Sequence, residues 1–215
     1  MKIGIIGSGE VGQALGKGFA DLGHEAKIGS REPGSEKLQA WIKKTGGKTS
    51  AGTFEDAAKF GEVIVVATHG MASEKALEAA GENNFDGKVV IDVTNPLDFS
   101  GGMPPKLALG FSTSLGERIQ AALPKAHVVK TLNIVNNRIM VNPRFEEGEP
   151  DMLLCGNDAD AKKKVEKILR DFGWKNITDL GGIEQARIME PLVILWVLYG
   201  ARNNTWTHAF KYLRK

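Results

Sequence analysis

Three features of the sequence predict an α/β chain built on a doubly wound, mostly parallel sheet with a small C-terminal helical appendage. Short runs rich in Val and Ile alternate with amphipathic helical stretches, the pattern of β-α-β units with right-handed crossovers. The first such run leads directly into a glycine-spaced turn that opens a helix. After Gly181 and Gly182 the alternation stops and a stretch apolar on nearly every side begins. The break predicts a sheet domain over 1–182 and an appendage over 183–215.

The strands come first in order. "KIGII", "EAKIG", "EVIVVAT" and "KVVIDV" are near-continuously apolar, as strands covered on both faces tend to be. "EVGQALGKGFADLG", "SEKLQAWIKKTGG" and "SEKALEAAGENN" read as the intervening helices. "TSLGERIQAAL" carries a capping box from Ser114 to Glu117 and is followed by the strand "HVVKTL". The strand "DMLLCG" leads into "NDADAKKKVEKILRDFG", a helix capped by Asn157 or Asp158 and closed by Gly173. The loops 94–112 and 133–150 are long for a compact domain and are candidate binding loops. In the appendage, the segment from Leu192 to Tyr199 predicts a helix buried on every side, against the sheet or a second subunit. "TWTHAFKYL" predicts a further amphipathic helix through Trp206, Phe210 and Leu213, with His208 at its surface or in an interface.

Composition narrows the partners. With 215 residues, of which 42% are hydrophobic, the chain can build a full core. The 28 basic and 26 acidic residues are spread along the chain and leave a net charge of +2, with no basic stripe for nucleic acid or an anionic membrane. A small-molecule partner is expected. Cys155, the single cysteine, permits no intrachain disulfide, fits a reducing cytoplasm and reads as a buried strand residue. No signal peptide is expected before the first strand, and the run "PLVILWVLYG" is half the roughly 20 residues a membrane span needs.

The glycine turn carries the chemistry. Gly7, Gly9 and Gly12 form G-x-G-x-x-G after a strand and at a helix start, the dinucleotide-binding fingerprint of the NAD(P)-binding Rossmann fold. Exposed N–H groups and the positive helix end would hold a pyrophosphate across Gly7, Ser8, Gly9, Glu10, Val11 and Gly12. A site preferring NAD would close its second strand with an acid for the ribose hydroxyls. Here Gly29, Ser30 and Arg31 stand there instead. The Arg31 fork suits a 2'-phosphate and the Ser30 hydroxyl adds a donor, so the expected cofactor is NADP(H), with Glu32 turned to solvent.

The C-terminal edge of the strands is where such sheets bind ligands. It would present Thr68, His69 and Gly70 after "EVIVVAT", Thr94, Asn95 and Pro96 after "KVVIDV", and Asn133 after "HVVKTL". His24 and His127 fall at the opposite edge, which leaves His69 to line the pocket or donate a proton. Asn95 and Asn133 are placed to orient a carboxamide or a substrate carbonyl. No Ser-His-Asp set, paired carboxylates or Cys/His metal spacing is evident, so no metal is expected.

The stretches "IGIIGSGEVGQALG", "IGSR" and "GGIEQARIMEPLVILWVL", over nearly the whole chain, resemble the F420-dependent NADP oxidoreductase family. The resemblance implies hydride transfer between NADP(H) and an 8-hydroxy-5-deazaflavin (coenzyme F420), Ser30 and Arg31 on the 2'-phosphate, a deazaflavin cleft between the sheet and the last helices, and a homodimer. The terminal helix with Arg187 and Glu190 is particular to this group. Thr68-His69 and Asn133 stand where deazaflavin members tend to show Pro-Trp and a histidine, and "DVTNPL" and "KTLNIVNN" are closer to other relatives of the family. The cytosolic reductase domains of certain membrane metalloreductases are also similar, which keeps a flavin or ferric reductase in view. A dehydrogenase of the 6-phosphogluconate type would need a lysine or acid from the appendage, whose only lysines are Lys211 and Lys215. A non-catalytic NADP(H)-binding, redox-sensing module is the remaining alternative.

Overall fold

The computed structural model describes residues 1–213. Its centre is an eight-stranded sheet that accounts for both the apolar runs and their polarity. The first half alternates β1 (Lys2–Ile6), α1 (Glu10–Asp21), β2 (Glu25–Gly29), α2 (Glu36–Thr45), β3 (Thr49–Gly52), α3 (Phe54–Phe60) and β4 (Val63–Val66). Then come α4 (Ser73–Ala80), β5 (Val89–Asp92), the short strands β6 (Leu97–Asp98) and β7 (Lys106–Leu107), and α5 (Leu115–Ala122). The second half continues with β8 (His127–Thr131), β9 (Asp151–Gly156), α6 (Ala159–Asp171), β10 (Asn176–Asp179), α7 (Ala186–Met189) and α8 (Leu192–Asn203). The sheet order is β10-β9-β8-β5-β4-β1-β2-β3, all parallel except the β8–β9 pair. Strands β6 and β7 form a separate antiparallel hairpin inside the first long loop.

Both faces of the sheet are covered. Ile3, Ile5, Val65, Ile91 and Val129 share one core with Leu15 and Phe19 of α1, Ile168 of α6 and Phe172 just after α6. Ile6, Ile64, Val66, Val90 and Val128 share the other with α3, α4 and α5. Complete burial of the four residues of β4 explains why no polar alternation appears there. The caps agree with the spacing. The Ser114 hydroxyl accepts from Glu117 N at 3.1 Å, and Asp158, not Asn157, caps α6 through Ala161 N at 2.7 Å.

The C-terminal region departs from expectation twice. The chain stops being helical at Asn204, which takes a left-handed conformation (φ 49°), and residues 205–213 run back as a strap instead of a second amphipathic helix. The Thr, Trp and His residues here are indifferent helix formers, and the strap finds better partners elsewhere. Asp151 N donates to Phe210 O at 2.9 Å and Tyr212 N donates to Asp151 Oδ2 at 2.9 Å. His208 is therefore not a helix-surface residue: its ring stacks on Trp196 at 4.7 Å. Helix α8 is also not buried all round within one chain. Val193, Trp196 and Val197 face inward, while Leu195 is 53% and Tyr199 51% exposed.

Candidate functional site

The fingerprint glycines each answer a different steric demand. Gly7 has φ +125°, and a Cβ there would lie 2.4 Å from the Ala67 carbonyl oxygen. A Cβ on Gly12 would lie 2.0 Å from the Gly7 carbonyl oxygen, so its absence lets α1 close on the turn. Around Gly9, by contrast, no atom stands within 4 Å of an added Cβ. The turn is thus packed from below and open above, a cradle that a side chain would fill and a pyrophosphate fits. Glu10 is exposed and Val11 half-buried at the opening of α1, and Gln13 Nε2 braces the turn by donating to Ser8 O at 2.9 Å.

The end of β2 lies beside this cradle. Ser30 is 8% exposed, and its hydroxyl accepts from Ser8 Oγ at 3.2 Å and from Glu32 N at 3.1 Å. Arg31 follows in the open, and no carboxylate pairs with its guanidinium among the described residues. The end of β2 therefore offers a hydroxyl and a free cation to a phosphate at the rim.

The ends of β4, β5 and β8 converge at the same edge. A Cβ on Gly70 would lie 1.9 Å from the Asn95 carbonyl oxygen, so the loop after β4 rests directly on the loop after β5. Asn95 Nδ2 donates to Asn133 O at 2.7 Å, and Asn133 Nδ2 donates to Asn95 Oδ1 at 3.0 Å and to Met189 O at 2.9 Å. Asn133 Oδ1 is buried without a partner. Thr68 Oγ1 and Ser73 Oγ share a 2.8 Å hydrogen bond, and Pro96 is buried with its carbonyl accepting from Ala108 N at 2.8 Å. His69 is exposed, its ring 6.4 Å from that of Phe99 on the hairpin loop. The predicted residues fall into two neighbouring groups on one edge: Gly7–Gly12 with Ser30 and Arg31, and Thr68–His69 with Asn95, Pro96 and Asn133. His24 lies at the opposite edge beside the Met1 amine, and His127 stands there 3.5 Å from Asp158.

Beneath the second group lies a charged cluster that periodicity alone did not reveal. Lys130 of β8 is fully buried, and its Nζ donates to Asp92 Oδ2, Glu190 Oε1 and Thr94 O, each at 2.8 Å. Asp92 Oδ1 accepts from Thr94 N and Thr94 Oγ1. Glu190 accepts from Leu115 N and Gly116 N, the opening of α5, at 2.9 Å each. Burial pulls the Lys130 ammonium toward losing its proton, but Asp92 and Glu190 outweigh this and hold its pKa above the ordinary lysine value. The visible signal was a charge inside each of the two runs "KVVIDV" and "HVVKTL". Nearby, Arg187 clasps Glu117 through Nε (2.8 Å) and Nη2 (2.5 Å), and this hydrogen bonding holds the Glu117 carboxyl below the usual carboxylate range.

A cleft of about 630 Å³ opens between the second long loop and the strap, lined by Ile139, Arg144, Pro150, Tyr199, His208 and Phe210 among others. It lies off the end of β8, since β9 starts at Asp151 and runs antiparallel to β8. Lys211 is exposed on the strap, and Lys215 lies outside the described residues. Cys155 is buried, and desolvation pushes its thiol up to about 12, which makes it inert. Among the described residues, no helix is long and apolar enough to cross a membrane.

Comparison with known proteins agrees with this geometry. Residues 2–96 match the family described as NADP oxidoreductase, coenzyme F420-dependent. The crystal structure of an assigned F420-dependent NADP reductase from Arthrobacter sp. FB24 superposes with a TM-score of 0.95 at 40% identity, covering 100% of both chains. The F420-dependent NADP reductase of Methanocaldococcus jannaschii is 28% identical over 92% of this chain and 91% of its own. Metalloreductase STEAP3 of Rattus norvegicus is 29% identical over 89% of this chain, which spans only 36% of that protein. With its Rossmann-like sheet and glycine cradle, this chain belongs to the NADP oxidoreductase, coenzyme F420-dependent family, a family of NADP(H)-binding oxidoreductases.

Proposed function

We propose that this chain is an NADPH-dependent reductase that passes hydride to a planar acceptor, 8-hydroxy-5-deazaflavin (coenzyme F420) foremost. The observation that carries the reading is the open cradle over Gly9 with Ser30 and the unpaired Arg31 at its rim. When bound, the nicotinamide would supply the hydride. The backbone N–H groups from Ser8 to Gly12 would hold the pyrophosphate against the positive end of α1. Ser30 and Arg31 would take the 2'-phosphate, a task for which a free guanidinium fork is well shaped. Thr68, His69, Asn95 and Pro96 would wall the nicotinamide half, above a floor made by Asn95 and Asn133.

Residues 1–182 would carry the cofactor, and 183–215 would complete the acceptor cleft. Alignment of two flat rings over this floor needs little acid-base machinery, and the edge offers little: one exposed histidine and two asparagines already tied to each other. The exposed Leu195, Leu198 and Tyr199 on α8 support a homodimer in which a second copy covers them. The single buried thiol is compatible with work in the reducing cytoplasm.

The test follows the absorbance of NADPH with separate additions of deazaflavin, FMN and a ferric chelate. Rapid oxidation with deazaflavin supports the proposal. Turnover with FMN or ferric chelate alone would move the assignment to a flavin or ferric reductase, the reading favoured by the similarity to the metalloreductase. Tight NADPH binding without turnover of any acceptor would favour a redox-sensing module.

A further inference from the structure

We propose that the buried Lys130–Asp92–Glu190 cluster acts on the nicotinamide floor as a fixed negative charge, favouring the oxidised ring and hence departure of hydride from NADPH. The inference rests on the NADPH reading above and adds an electrostatic role for residues that touch neither cofactor nor acceptor.

The charge of the cluster follows from its hydrogen bonds. Every carboxylate oxygen in it accepts from a donor that is a backbone N–H, a threonine hydroxyl or the Lys130 ammonium. Two carboxylates thus share one ammonium, leaving one negative charge. The N-terminus of α5 offsets about half of it through its two N–H groups. All three side chains are at most 1% exposed, so water screens the remainder poorly.

The cluster also lies directly under the floor. Lys130 Nζ holds the Thr94 carbonyl, and the next residue is Asn95. Glu190 follows Met189, whose carbonyl accepts from Asn133 Nδ2. The two asparagines that meet at the edge are therefore each one backbone step and one hydrogen bond from the charged groups. When hydride leaves reduced nicotinamide with two electrons and passes to the acceptor, the ring left behind carries one positive charge. Fixed negative charge beneath it stabilises that product relative to the neutral reduced ring.

The test is the ratio of NADP⁺ to NADPH affinity, measured by calorimetry on the full chain. Both forms make the same phosphate and ribose contacts, so a purely structural fault moves both affinities together and leaves the ratio alone. Glu190→Gln reduces the cluster to one ammonium and one carboxylate. The expected result is a roughly three- to tenfold loss of NADP⁺ affinity relative to NADPH, the size of a partly offset charge acting through a poorly polarisable interior. Asp92→Asn makes the same change of charge from the end of β5 and should shift the ratio in the same direction. An unchanged ratio in whichever variant folds overturns the inference. Failure of the wild-type chain to bind either form would instead overturn the NADPH reading on which it rests.

Discussion

Replacing Lys130 by Met removes the only positive charge from the buried cluster while keeping a chain of similar length. Asp92 Oδ2, Glu190 Oε1 and Thr94 O each lose a 2.8 Å donor, and none of them can reach water. Removing one member of a buried ion pair costs about 3–5 kcal/mol, because the remaining charge is stranded in a poorly polarisable interior. A volume-conserving change in shape adds less than about 1.5 kcal/mol. The loss is a large fraction of the roughly 5–15 kcal/mol that holds a domain together. In a chain of this size it corresponds to a fall in Tm of about 6–20 °C. Urea unfolding followed by tryptophan fluorescence should show a lower midpoint with an unchanged slope.

The pH dependence has a definite sign. The folded-state pKa of Lys130 is raised by Asp92 and Glu190 against the opposing pull of burial. Its contribution is therefore complete below the unfolded value of about 10.4 and is lost only as pH climbs through the higher folded value. The Lys130 contribution to wild-type stability should stay constant from neutral pH to about pH 10. A loss below about 1 kcal/mol would refute the reasoning, since it would mean that the two carboxylates need no buried partner.

Three further outcomes are expected. Gly9→Ala should cost the apo fold no more than about 1 kcal/mol, the N-cap preference for glycine over alanine, because φ −72° suits alanine and its Cβ meets nothing, yet should weaken NADPH binding at least about tenfold; Gly12→Ala, whose Cβ would collide with the Gly7 carbonyl, should fail in thermal stability first. Cys155 should resist a thiol reagent at mildly alkaline pH in the native chain and react on unfolding, as a buried thiol pushed up to about 12 requires. Glu117→Gln should flatten the acid limb of the stability curve: Arg187 lowers the folded pKa of Glu117, so its contribution is present above the unfolded value of about 4.3 and disappears as pH falls through the folded one.

The sheet and its glycine turn were legible because they depend on local rules. Buried parallel strands must be apolar on both faces, and a turn that closes on itself must be glycine, so "KIGII" and Gly7–Gly12 announce themselves. Strand β3, "TSAG", has no apolar run to mark it, since it is a short edge strand built of small residues. The appendage was misread where tertiary contacts override periodicity. Trp206 and Phe210 have helical spacing, but Asn204 turns the chain, Trp206 packs on Gly200, and Asp151 captures the strap through two backbone groups. The Lys130 cluster was hidden for a related reason. A charge inside an apolar strand is visible in one dimension, but the identity of its partners, 38 residues upstream for Asp92, is a property of the fold. Of the site residues, those on the glycine turn follow from spacing, whereas the mutual locking of Asn95 and Asn133 depends on β5 and β8 being neighbours.

The most direct test of the account is a calorimetric titration of NADPH and NADH into wild type and Arg31→Ala. Wild type is expected to prefer NADPH, and the substitution should remove about 1.5–3 kcal/mol of NADPH affinity, roughly ten- to a hundredfold, while leaving NADH nearly unchanged. Equal losses for both nucleotides, or a wild-type chain that binds NADH as tightly as NADPH, would contradict the assignment of Ser30 and Arg31 to the 2'-phosphate and, with it, the NADPH-dependent function proposed for this chain.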